Sequence, residues 1–157
     1  MAIHKIISGG QTGADRAALD WAIARGIEHG GWCPAGRRAE DGAIPGTYRL
    51  LETESCGFLQ RTRRNIADAD ATLVVNLGTL EGGTLRTVQL AQRLGKPVLV
   101  IFADIESPQA AAIRPRNWVA RVAPIVLNVA GPRTSKRSGI YQATWRLLGE
   151  LVPGRDE

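Results

Sequence analysis

Three short apolar runs constrain this chain more than any other feature: 71–77 (ATLVVNL), 97–102 (PVLVIF) and 125–131 (IVLNVAG). Each is nearly continuous in apolar residues and rich in β-branched ones, the pattern of a strand buried on both faces. A shorter run at 3–8 gives a first strand, and 29–33 a brief second one. Helical spacing falls between them. Residues 14–25 carry Ala18, Trp21, Ala22 and Arg25 before Gly26, and 61–68 form a second helix. After GTLEGG, the positions Leu85, Val88, Ala91 and Leu94 share a side, and Gly95 and Pro97 end that helix. A helix at 115–122 follows. Ile140, Thr144, Leu147, Leu148 and Leu151 stripe the last one. Buried strands alternating with helices imply an α/β three-layer sandwich around a mainly parallel sheet of five or more strands, in one domain spanning 1–157.

In such sheets ligands sit beyond the carboxyl ends of the strands. The loops to read are therefore 8–15, 33–48, 76–84, 103–107 and 128–138. The first is Ser8-Gly9-Gly10-Gln11-Thr12-Gly13-Ala14-Asp15, an S-x-G-x-x-G turn that opens a helix. Its backbone N–H groups at Gly9, Gly10 and Thr12 are candidates to hold a phosphate or another oxyanion. No Lys-Ser or Lys-Thr follows the last glycine, which excludes a Walker loop. The second strand runs into Cys33-Pro34-Ala35-Gly36-Arg37-Arg38, with Arg37 where a dinucleotide site would place an acid. That disfavours NAD and favours an anionic group. Asp15 either caps its helix or turn, or accepts from a ligand donor such as a pterin or purine amine. Gly82, Gly83 and Thr84 form a second candidate cradle after the best strand. A cleft shared by both cradles predicts that the first strand and the 71–77 strand are neighbours.

Of the twenty basic residues, seventeen are Arg, whose planar fork suits oxyanions. Arg61 and Arg64 share a helix face, with Asn65 beside Arg61. Arg133, Ser135, Lys136 and Arg137 follow a strand end. The Gly- and Pro-rich stretch 34–48 reads as a functional loop or lid. Trp21, Trp118 and Trp145 read as packing residues, while Trp32 borders a candidate loop. Cys33 is either a small buried residue or a soft ligand for molybdenum. The two cysteines and two histidines have no zinc or disulfide spacing. The start MAIHKII lacks a signal-peptide layout, and no apolar run is long enough for a membrane span, so a cytoplasmic protein is expected.

Six blocks of the chain then carry a resemblance: SGGQTGADRAALDWA, GGWCPAGRRAEDGAIPGTYRLLE, RTRRNIADADATLVV, GGTLRTVQLA, GKPVLV and VLNVAGPRTSKRSGIY. In this order they resemble the molybdenum carrier, or molybdenum-cofactor carrier, family, over nearly the whole length. The resemblance implies a Rossmann-like fold and a homo-oligomer, dimer or tetramer. It also implies molybdenum cofactor (molybdopterin) or molybdate as the bound ligand, and a molybdoenzyme as acceptor. Related families supply the alternatives. The lysine-decarboxylase-like phosphoribohydrolases share a P-G-G-x-G-T-x-x-E signature whose final Glu does chemistry at ribose. Aligning Gly83-Thr84 with its G-T puts Thr87 at that position. The DNA-processing protein A family shares the Ser8–Asp15 loop and binds single-stranded DNA, which needs stacking aromatics. Aromatics are only 5% of this chain. A carrier needs no nucleophile or general base, and no catalytic set stands out. The reading is thus a small-anion carrier, with a nucleotide-processing or nucleotide-sensing protein and a single-stranded DNA binder as alternatives.

Overall fold

A computed structural model describes residues 3–151. The first two residues of the MAIHKII start, and 152–157 of the expected domain, lie outside the described residues. The elements run β1 (Lys5–Ile7), α1 (Ala14–Arg25), β2 (Glu28–Gly30), β3 (Trp32–Cys33), β4 (Arg38–Ala39), β5 (Gly42–Ala43), β6 (Leu51–Glu52), α2 (Phe58–Asp68), β7 (Ala71–Asn76), α3 (Gly82–Arg93), β8 (Val98–Phe102), α4 (Pro108–Val122), β9 (Val126–Ala130) and α5 (Ile140–Leu151). Five strands make one parallel sheet in the order β2-β1-β9-β7-β8. β3 pairs with β6 and β4 with β5 in separate two-stranded ribbons. The arrangement is α/β and Rossmann-like. Among the described residues no helix is long and apolar enough to cross a membrane.

The expected neighbours β1 and β7 are not adjacent, because β9 lies between them, with Leu127 in register with both Ile6 and Ala71. The reason is the path of the chain. β7–α3–β8 steps outward, and β8–α4–β9 crosses back over β7 to fill the centre. Right-handed crossovers then put α1, α4 and α5 on one face and α2 and α3 on the other. β9 and its neighbour β7 are the most buried strands: Leu127 and Val129 are wholly buried, and so are Leu73, Val74 and Val75.

The two faces of the sheet differ in chemistry. Ile6, Leu73, Val75, Ile101, Leu127 and Val129 join Trp21, Trp118, Ile140, Leu147 and Leu148 in the main core under α1, α4 and α5. A strand alternates its side chains, so Thr72, Val74, Asn76 and Asn128 point to the α2–α3 side. Asn128 Nδ2 donates there to Thr72 Oγ1 at 3.2 Å. One face is thus a hydrophobic floor and the other carries a polar seam.

Four expected elements shift. The 29–33 strand divides at Gly31, φ +124°, into β2 of the main sheet and β3 of a ribbon. α4 starts at Pro108 rather than 115: Ser107 Oγ accepts from Ala110 N at 3.1 Å and Pro108 takes the first helical position. Pro115 then lies inside the helix, which continues without the bond its missing N–H would make. α2 starts at Phe58, and the added residues put its ring 5.2 Å from the Arg61 guanidinium. Finally, the 34–48 stretch is a strapped flap. Arg37 donates to the carbonyls of Ile44, Pro45, Tyr48 and Leu50. Asp20 accepts from Tyr48 at 2.6 Å and Tyr141 at 2.5 Å, and Arg16 pairs with Asp41 at 2.6 Å.

Candidate functional site

Above the carboxyl end of β9, between α2 and α3, lies a cleft of about 300 Å³. Its walls come from the loops after β1, β7 and β9, which the strand order brings to one edge of the sheet. Asn76 and Asn128 of the polar seam lie at its base.

The two glycine loops contribute differently. In the first, most polar groups are spent on the loop itself. Ser8 is fully buried; its Oγ donates to the Asp15 carbonyl at 2.8 Å and accepts from Gly10 N at 3.4 Å. Gln11 N donates to Asp15 Oδ2, and Thr12 N to Gln11 Oε1. Of the three N–H groups expected to grip an anion, only that of Gly9 has no partner among the described residues. The glycines serve close packing instead. A Cβ on Gly9 would lie 1.9 Å from Arg61 Nη1. Gly10 has φ +78° and faces Ile44 of the flap and Leu50 just after it, and Gly13 tucks under the Pro132 carbonyl.

The second loop is open. α3 has no side-chain cap, and among the described residues nothing accepts from the N–H groups of Gly82, Gly83 and Thr84. All three line the cleft. Unpaired N–H groups and the helix dipole together make this turn attractive to anions. Arg86, Arg133 and Lys136 line the same space. Arg137 clamps the β7 and β9 loops together, donating to the Leu77 carbonyl at 2.6 Å and pairing with Glu81 at 2.9 Å.

Asp15 and Arg61 form a buried pair at 3.3 Å on the opposite wall. Burial pushes the Asp15 carboxyl up to about 6, and the nearby Arg61 charge and the Gln11 N–H only partly offset it. Arg61 is held by the Phe58 carbonyl and lies over the Phe58 ring. Arg64 does not join it, lying instead over Trp32 at 4.5 Å. Asn65 lines the cleft, but its amide bonds both backbone groups of Trp32, at 2.8 and 3.0 Å, as a strand would.

The structure therefore brings together Gly9, Gln11, Asp15, Arg61, Asn65, Gly82, Gly83, Thr84, Arg133 and Lys136. It places Ser8, Gly10, Thr12, Gly13, Arg37 and Ser135 away from the cleft wall. Thr12 and Ser135 instead hold Glu40 of the flap: both hydroxyls donate to its carboxylate, Ser135 N adds a bond at 3.2 Å, and Arg133 Nε lies at 3.4 Å. Cys33 is packed with Leu19, Ile44 and Leu50, and burial pushes its thiol up. Among the described residues no cluster of three or more His, Cys, Asp or Glu side chains is placed to hold a metal ion. Sequence reasoning missed Asn76 and Asn128. Their signal was an amide inside an otherwise apolar strand.

Residues 6–152 match the family described as Circularly permutated YpsA SLOG family. Among solved structures, the chain is similar to "Putative molybdenum carrier protein" from Syntrophus aciditrophicus SB, a crystal structure at 1.45 Å resolution. The two share 48% identity over 96% of each chain, with a TM-score of 0.94. The comparison with curated proteins gives no match.

Proposed function

The chain belongs to the circularly permutated YpsA SLOG family, and from that premise we propose that it binds and carries a small anionic ligand in the cleft above β9. The ligand of this reading is molybdenum cofactor, or a related oxyanion- or phosphate-bearing compound. The description of the Syntrophus protein supports it. The observation that carries it is the uncapped first turn of α3, Gly82–Thr84, facing Arg133 and Lys136.

Magnitudes say which groups the reading needs. A helix end contributes only ~0.3–1 kcal/mol, a charged hydrogen bond ~1.5–3 kcal/mol, and micromolar binding requires about 8 kcal/mol. The α3 turn therefore acts with the basic rim. At the phosphoribohydrolase position Thr87 donates its hydroxyl to the Gly83 carbonyl at 3.0 Å, so no carboxylate stands there. Phe58 is the one aromatic lining the cleft among the described residues, which does not favour stacking of a DNA strand. A homo-oligomer and a molybdoenzyme acceptor belong to the same proposal. Support for the first is β8, an apolar strand at the sheet edge with most of its residues only partly buried.

Calorimetry with molybdate and with a phosphate-bearing pterin, at two salt concentrations, tests the reading. Binding that weakens with salt, and weakens again in Lys136→Ala with a shallower salt dependence, is expected. A folded parent that binds neither compound overturns it.

A further inference from the structure

We propose that Asp15 selects the ligand class of this cleft, accepting from an N–H-bearing heterocycle whose anionic group lies at the N-terminus of α3. The proposal rests on the anion reading above and deepens it.

The cleft is polarised. On the α3 side it offers donors with nothing to give to: the N–H groups of Gly82, Gly83 and Thr84. Elsewhere it offers acceptors with nothing to take from. Asp15 is 6% exposed and lines the cleft. Its Oδ2 accepts from Gln11 N and from Arg61 Nη1, both at 3.3 Å, whereas Oδ1 has no donor among the described residues. Asn76 is 1% exposed. Its Nδ2 donates to the Gly78 carbonyl at 3.0 Å, which fixes the amide and leaves Oδ1 without a donor.

The strand order sets the span between these ends. Asp15 belongs to the helix after β1 and Gly82–Thr84 to the helix after β7, with β9 between the two strands. The strands that lead into them are two spacings apart, about 10 Å. One tetrahedral oxyanion seated at the α3 turn offers no N–H to the Asp15 oxygen that opens on the cleft. A heterocycle with ring and exocyclic N–H groups, joined to a phosphate, reaches both. Sites built this way favour ligands that carry the N–H, because an analogue without it displaces water from the Asp15 oxygen and returns no hydrogen bond. Arg61 acts here as a positioning residue. It lies against the Gly9 backbone and holds Oδ2, so that Oδ1 is the oxygen left for a ligand.

The test uses two phosphates that differ only in the heterocycle, guanosine 5′-monophosphate and ribose 5-phosphate, titrated into the parent and into Asp15→Asn. The parent should bind the guanosine compound about tenfold more tightly or better, from one added charged hydrogen bond. Asp15→Asn should lose most of that difference, read as the ratio of the two affinities within each protein, because removing a carboxylate that pairs with Arg61 shifts the affinity for both phosphates alike. Equal affinity of the two phosphates for the parent overturns the assignment of Asp15 and leaves the anion reading standing. So does a difference that survives in Asp15→Asn. Binding of neither phosphate overturns this inference, while the molybdate and pterin titrations judge the anion reading separately. Equal affinity in the parent overturns the assignment even where Asp15→Asn fails to fold, and in that case Asp15→Ser, which also removes the carboxylate, replaces it in the comparison.

Discussion

At the scale of single residues, the stretch SGGQTGAD turns out to be a packing solution more than an anion grip. Gly9 admits a guanidinium from α2, and Gly10 admits Ile44 from the flap and Leu50 just after it. Neither partner is near in sequence, so the glycines were legible as special but their reason was not. Gly10→Val should therefore unfold the protein rather than merely block a ligand: it forces a branched residue into φ +78° with Leu50 Cδ1 2.6 Å from its Cβ. Thermal melts should show a strong drop in Tm, and a folded variant with an unchanged Tm would contradict the packing account. Asp15 offers a second check through pH. Its carboxyl, 3.8 in an ordinary setting, stands at about 6 in the fold because it is buried. Its contribution to stability is therefore full below about pH 4 and is lost as pH rises through about 6. Asp15→Asn stays neutral throughout. Its stability relative to the parent should rise by on the order of 2–3 kcal/mol between about pH 4 and pH 8. Urea unfolding at the two pH values measures this, and a relative stability that falls with pH would contradict it.

At the scale of elements, what the sequence reveals depends on how an element is held. α1 and α5 show their buried stripes directly, and Ile140, Thr144, Leu147, Leu148 and Leu151 are all buried as their spacing suggests. Leu148→Ala should cost about 2–5 kcal/mol in denaturant unfolding, because it empties a wholly buried site under α1 and α4. α4 was legible only in its second half, since two prolines compete for the start and the Ser107 cap decides for the earlier one. The flap has no periodicity to read, because side chains bonded to distant backbone and carboxylate groups hold it. Glu40 is its main link to the glycine loop and the β9–α5 loop. Burial would raise its carboxyl, but the Ser135 and Thr12 hydrogen bonds and the Arg133 charge outweigh that and hold it below the usual range. The stability it lends is then present above about pH 4.5 and is lost as pH falls through the lowered value. Glu40→Gln should expose residues 34–48 to limited proteolysis at neutral pH. Cleavage no faster than in the parent would show that the other straps suffice.

At the scale of the whole molecule, alternating buried strands and helices made the layered sheet readable, whereas the order of its strands was not. Strand order depends on whether each crossover steps outward or back, as β8–α4–β9 does over β7, and no local pattern records that choice. That order nonetheless shapes the site. Inserting β9 between β1 and β7 sets the two glycine loops on opposite walls of one cleft, the first with most of its N–H groups spent within the loop and the second with its N–H groups open. The basic loops were legible because the loops beyond the carboxyl ends of parallel strands share one edge of the sheet. The central claim is that an anion binds at the first turn of α3. Crystals grown or soaked with tungstate, a heavy isostere of molybdate, locate the anion directly by anomalous scattering. The account predicts one strong peak within hydrogen-bond distance of the Gly83 and Thr84 N–H groups, near Lys136. A peak at the Gly10 and Thr12 N–H groups instead, or a tungstate-saturated crystal with none in the cleft, would contradict it.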